Sequence, residues 1–275
     1  MRSCACSIAP GSGRPIGSVS QYYPMLALKL TIVPLLIAAI TFAGHRWGPA
    51  VSGWLAGLPV VAGPVLFFIA IEHGPSFAAT AAIGTLAGVL GAVSFAIVYA
   101  WVATRFAWPT SFVCGLAAYF AVVAVLHLIS PPMPLAALVA VGSLVLGARL
   151  FPRTAPKAPI VVSSYAEVAC RMLAGAALVV LVTHFAASLG PNLSGLFAVF
   201  PLMTSVLAVF SHRYSGYECT VLLLRGLLFG LYAFAAFCLA LAMLLPAWGT
   251  APGFVAAVGC ALLVQFLSRV AVQRA

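Results

Sequence analysis

Three carboxylates in 275 residues decide what this chain can fold into: Glu72, Glu167 and Glu218, with no aspartate anywhere. Charged residues of both signs make up 6% of the sequence, where a soluble domain carries about 25%. A water-facing shell cannot be assembled from that inventory. A soluble enzyme and a disordered chain are therefore excluded. With 64% hydrophobic residues and a mean hydropathy of +1.19, the chain reads as a multi-pass, all-α integral membrane protein whose first partner is the lipid bilayer. Its net charge of +10 comes from thirteen lysines and arginines scattered singly. Nucleic-acid binding needs a clustered basic face, so no nucleic-acid partner is expected.

A bilayer core takes about 20 apolar residues in helical form. Nine segments qualify: 25–44, 50–71, 76–103, 109–129, 132–150, 166–188, 192–211, 218–244 and 252–270. Breaks fall where Gly, Pro and charge gather, as at Glu72-His73-Gly74-Pro75, Ser130-Pro131-Pro132 and His212 to Gly216. With nine spans the termini face opposite sides. One side receives Arg46, Arg105, Arg149, Arg153, Lys157, Arg213, Arg269 and Arg274, and the other only Arg2 and Arg14. The positive-inside rule then predicts an outer N-terminus and a cytoplasmic C-terminus in a bacterial inner membrane. Residues 1–24 form a polar tail without the apolar core of a signal peptide, and Met25 is an alternative start at the edge of the first span.

Against itself, the chain matches best at an offset of 142. Gly48-Pro49 falls on Gly190-Pro191, Ser52-Gly53 on Ser194-Gly195, Pro59 on Pro201, Gly74 on Gly216, and Gly84 and Gly88 on Gly226 and Gly230. Positions 48–90 hold eleven identities in 43 without a gap. The layout expected is 4+1+4: a tail (1–24), a first repeat of four spans (25–129), a linker span (130–151), a cytoplasmic loop (152–164) and a second repeat (165–275). Four spans plus one is odd, so the second repeat enters the membrane inverted. Inverted-topology repeats are the architecture of transporters and channels, in which two halves exchange open faces.

In this composition and layout the chain resembles the alanine-rich multi-pass inner-membrane proteins of bacteria, and the 4+1+4 plan is similar to that of fused, two-domain fluoride channels. The polar tracks of those channels use arrays of asparagine, threonine and phenylalanine. This chain has one asparagine, Asn192, so the resemblance covers the layout and carries no activity with it.

Within each repeat the second span holds a proline near its middle, Pro59 and Pro201, ten residues past Pro49 and Pro191. Ten residues of helix cover about 15 Å, half of a core about 30 Å thick. An interior proline removes a helical hydrogen bond, and in lipid the freed carbonyl must find a partner. Paired interrupted spans at matching positions point to a midplane substrate site. The pathway candidates are therefore Ser52, Gly53, Pro59 and Gly63 in the first repeat, and Ser194, Gly195, Pro201, Thr204 and Ser205 in the second. The two serines at 52 and 194 also suit close helix packing, as do the Gly84/Gly88 and Gly226/Gly230 stripes.

Charges within spans are costly and call for partners. Lys29 is expected to face Glu72 near the outer side, and Arg171 to meet Glu218 or Glu167 near the inner side. Arg225 lies one to two turns into its span. These five residues, Lys29, Glu72, Arg171, Glu218 and Arg225, are the charge and gating candidates. The surplus of cations leans toward an anionic or polar solute. The histidines (45, 73, 127, 184, 212) and the seven cysteines do not form a ligand set, and neither a metal, a cofactor nor a catalytic group is expected. The function expected is a small-solute transporter or channel. The alternatives are a structural or assembly protein of the envelope and a membrane-embedded, lipid-acting enzyme, for which too few polar residues gather on one face.

Overall fold

The computed structural model describes residues 49–153 and 198–274, together with single helical positions between 31 and 42 and between 169 and 196. The described elements are all helices: α1 (Pro49–Ala56), α2 (Ala62–His73), α3 (Pro75–Ala103), α4 (Trp108–Ile129), α5 (Met133–Leu150), α6 (Leu202–Trp248) and α7 (Thr250–Arg274). Five of the seven contain stretches long and apolar enough to cross a membrane. Lys29, Glu167, Arg171 and Ser194 lie outside the described residues, as does most of the spans expected at 25–44 and 166–188.

Local chemistry sets the helix ends. Prolines stand in the first turns of α3, α4 and α5, where the missing N–H costs nothing. α4 stops at Ser130, which takes a left-handed φ of 42° ahead of Pro131-Pro132. α6, at 47 residues, would run about 70 Å if straight, more than two bilayer cores. It is interrupted at Gly216, with φ 86° and ψ 172°. The aligned Gly74, between α2 and α3, has φ 92° and ψ 162°. Only glycine takes this conformation without strain, so one residue does at each position what the sequence led us to expect of a short loop.

α3 and α6 form the centre of the bundle. The most apolar stretch of α3 is 72% buried, and that of α6 61%, against 22–28% for α4, α5 and α7. The outer helices bury one narrow stripe each, at helical spacing: Ser111, Gly115, Tyr119, Val123 and Leu126 on α4, and Ala136, Ala140, Ser143, Leu144 and Gly147 on α5. On α7 the stripe is Phe254, Ala257, Ala261 and Gln265. Their opposite faces expose Leu, Val and Phe, as a lipid-facing surface does.

The closest helix crossings are made by glycine and come in exchanged pairs. A β-carbon at Gly53 would overlap the carbonyl of Leu223, and one at Gly195 would overlap the carbonyl of Ala81. Positions 53 and 195 are 142 apart, and so are 81 and 223. Gly57 lies against Gly230, while Val199 lies against Gly88, again with both members displaced by 142. Thus α1 crosses the second half of α6 in the way that the helix ending at Ala198 crosses α3. Substituting alanine at Gly53 or Gly195 forces two backbones apart, and we expect a cost of about 1–3 kcal/mol each, read as a lower thermal unfolding midpoint in detergent. Gly142→Ala and Gly259→Ala, where an added methyl meets nothing within 4 Å, should stay within about 0.5 kcal/mol.

Candidate functional site: two broken helices around one cavity

Both proline-interrupted spans are broken outright rather than kinked. Residues 57–61 leave the helix between α1 and α2, and residues 199–201 leave it between Ala198 and α6. Helical bonding stops at Gly57 N–H to Gly53 O (3.1 Å). The N–H of Leu58 tightens to Leu55 O (3.1 Å), and that of Val60 closes a turn on Leu58 O (2.8 Å). Bonding resumes at the aligned pair Gly63 N–H to Pro59 O (2.8 Å) and Ser205 N–H to Pro201 O (2.6 Å).

Each break strips a carbonyl of its usual acceptance from the residue four positions on. For Trp54 that donor would be Leu58, which bonds elsewhere. For Leu196 it would be Phe200, which is outside the helix. A side chain fills each gap. Gln265 Nε2 donates to Trp54 O at 3.0 Å, and Tyr119 Oη donates to Leu196 O at 2.8 Å. The hydroxyl of Thr85 is shared between Ala81 O (2.8 Å) and Gly195 O (3.0 Å). All three side chains are buried. Trp54 Nε1 also donates to Ser268 Oγ at 2.9 Å, and that hydroxyl donates to Gln265 O at 2.9 Å. The end of α1 is thereby tied to α7 at two points.

A cavity of about 60 Å³ lies between the two breaks. Its lining pairs residues across the offset of 142: Ala56 with Ala198, Gly57 with Val199, Leu58 with Phe200, Ala62 with Thr204, and Ala92 with Phe234. The described lining carries no charge, and its one hydroxyl belongs to Thr204.

Of the residues singled out from the sequence, Pro201 and Thr204 line this cavity. Pro59 stands in the first break and Gly63 two residues beyond the break's end, both half-buried. Gly53 and Gly195 lock the broken helices onto their neighbours, and Ser52 is buried beside Gly53. Ser205 is buried, and its hydroxyl is without a hydrogen-bond partner among the described residues. The three described charged candidates do not line the cavity: Glu72 is exposed near the end of α2, and Glu218 and Arg225 are half-buried along α6. Among the described residues no group of three His, Cys, Asp or Glu gathers to hold a metal. Tyr119, Gln265 and Thr85 were not legible as site residues, although a glutamine and a serine one turn apart in an apolar span (Gln265, Ser268) are a usable signal. Comparison with family models, with curated proteins and with solved structures gives no match.

Replacing Thr85 by valine keeps its shape and leaves Gly195 O without its side-chain donor. A buried interhelical hydrogen bond in a membrane protein contributes about 0.6 kcal/mol on average and up to about 1.7. We expect Thr85→Val to lower the unfolding midpoint modestly, while Thr80→Val, whose hydroxyl among the described residues bonds within its own helix (Ser76 O, 3.2 Å), leaves it unmoved.

Proposed function

We propose that this chain is a small-solute transporter or channel of the bacterial inner membrane, with nine spans arranged as 4+1+4 and two inverted repeats whose broken second spans form the solute site. The observation that carries the reading is the exchanged geometry: two helices, broken at positions 142 apart, meet around one cavity lined by residues from both halves. An odd span count between the halves gives the second its inverted entry, and the distribution of Arg and Lys gives a cytoplasmic C-terminus. The size of the cavity favours a solute of few atoms. Its uncharged lining leaves recognition to the Thr204 hydroxyl and to backbone groups at the breaks. The lean toward an anionic or polar solute rests on the surplus of cations Lys29, Arg171 and Arg225, of which Arg225 is described and is not part of the lining.

The test is water access at the aligned pair Ala62 and Thr204, one from each repeat. In a chain with its native cysteines replaced by alanine, Ala62→Cys and Thr204→Cys are each exposed to a membrane-impermeant thiol reagent from both faces. The transport reading expects both positions to be labelled, and Pro59→Ala or Pro201→Ala to cut small-anion or small polar-solute flux in proteoliposomes about tenfold at unchanged expression. Folded protein left unlabelled from both faces means a dry packing void, and an envelope scaffold then becomes the better reading.

A further inference from the structure

Tyr119 and Gln265 solve one problem twice, with different chemistry, and each does so for the opposite half of the molecule. Tyr119 belongs to the first repeat and holds Leu196 of the second; Gln265 belongs to the second and holds Trp54 of the first. The residues aligned with them are Ala261 and Val123, so the two donors stand one turn apart on equivalent helices. Each serves the last turn of a half-helix that ends at the cavity. Each carbonyl was freed by the break itself, and inside a bilayer water cannot replace the donor.

We propose that Tyr119 and Gln265 are paired latches, positioning residues that hold one half-helix each, and that releasing either opens the cavity toward the membrane face at which that half-helix begins. The inference rests on the transport reading above. α1 begins at one face and, with nine spans, the helix ending at Ala198 begins at the other, so the two latches guard opposite entrances. They also differ in hold. The phenol of Tyr119 is fully buried, 0% exposed, and makes its bond at 2.8 Å. The Gln265 amide, 4% exposed, makes its bond at 3.0 Å while its Oε1 is buried without a partner among the described residues. An amide with one end unsatisfied gains less from the closed state than a satisfied phenol. The entrance at the start of α1 is therefore the one more readily opened.

The reporter is Thr204→Cys in the full chain with its native cysteines replaced, labelled with a trimethylammonium methanethiosulfonate in right-side-out and inverted vesicles. Gln265→Met, nearly equal in length, should raise the labelling rate about threefold or more from the face where α1 begins, the factor expected of one lost interhelical hydrogen bond in a membrane protein, and less than twofold from the other. Tyr119→Phe, which removes only the hydroxyl, should do the reverse. Rates that are unchanged, or that rise equally from both faces, overturn the latches and leave two ordinary packing residues, with the transport reading intact because the reporter is still wet. A parent reporter that is unlabelled from both faces overturns the transport reading and the latches together. Should Gln265→Met fail to fold, Tyr119→Phe decides alone, by whether its effect is confined to one face.

Discussion

A carbonyl freed inside a bilayer has no water to turn to, and the arrangement at the centre of this protein follows from that constraint. Two prolines placed at mid-span break two helices. Every break leaves acceptors that must be satisfied from within the protein, so each broken end is committed to a neighbouring helix carrying the right donor. Tyr119 on α4, Thr85 on α3 and Gln265 on α7 supply those donors. Their positions fix how the outer helices stand against the broken ones.

The donors reach only because the backbones are close, and closeness is the work of glycine. At Gly53 and Gly195 a helix comes so near the carbonyl of the facing helix that no side chain fits between. In lipid there is little hydrophobic gain from bringing two apolar helices together, so contact area and interhelical hydrogen bonds do the associating. Both are made here at the same crossing. The half-helix carrying Gly195 lies on α3, which contains Thr85, and the half-helix carrying Gly53 lies on α6. Each half of the chain thus supplies the groove that the other half's broken helix occupies, and the cavity is what remains where the two breaks face one another.

Much of this was legible in the sequence because it is written in residues with few alternative uses. Expected spans at 76–103, 109–129 and 132–150 correspond to α3, α4 and α5 within one residue at each end, since proline and glycine punctuate them. The offset of 142 picked out Gly53 with Gly195 and Pro59 with Pro201, whose geometry corresponds. Less legible was the extent of a break. At Pro59 the loss of one helical hydrogen bond was expected, yet five residues leave the helix, because Leu58 turns back to Leu55 and Pro59 cannot donate. The break expected over 212–216 narrows to Gly216, since a single glycine at positive φ suffices. Least legible were the donors. Tyr119 and Leu196 are 77 residues apart, and Gln265 and Trp54 211. Nothing local in the sequence shows which carbonyl a buried phenol or amide will meet once the helices cross.

The two halves interlock, each incomplete without the other. That interlock is tested most directly by dividing the chain within 154–164 and producing the halves separately and together, each with its own affinity tag. Either half alone is expected to be aggregated or degraded, and co-expression to return both as one monodisperse one-to-one complex in detergent. Halves that are each stable and monodisperse alone, and that do not associate when mixed, would contradict the interlock.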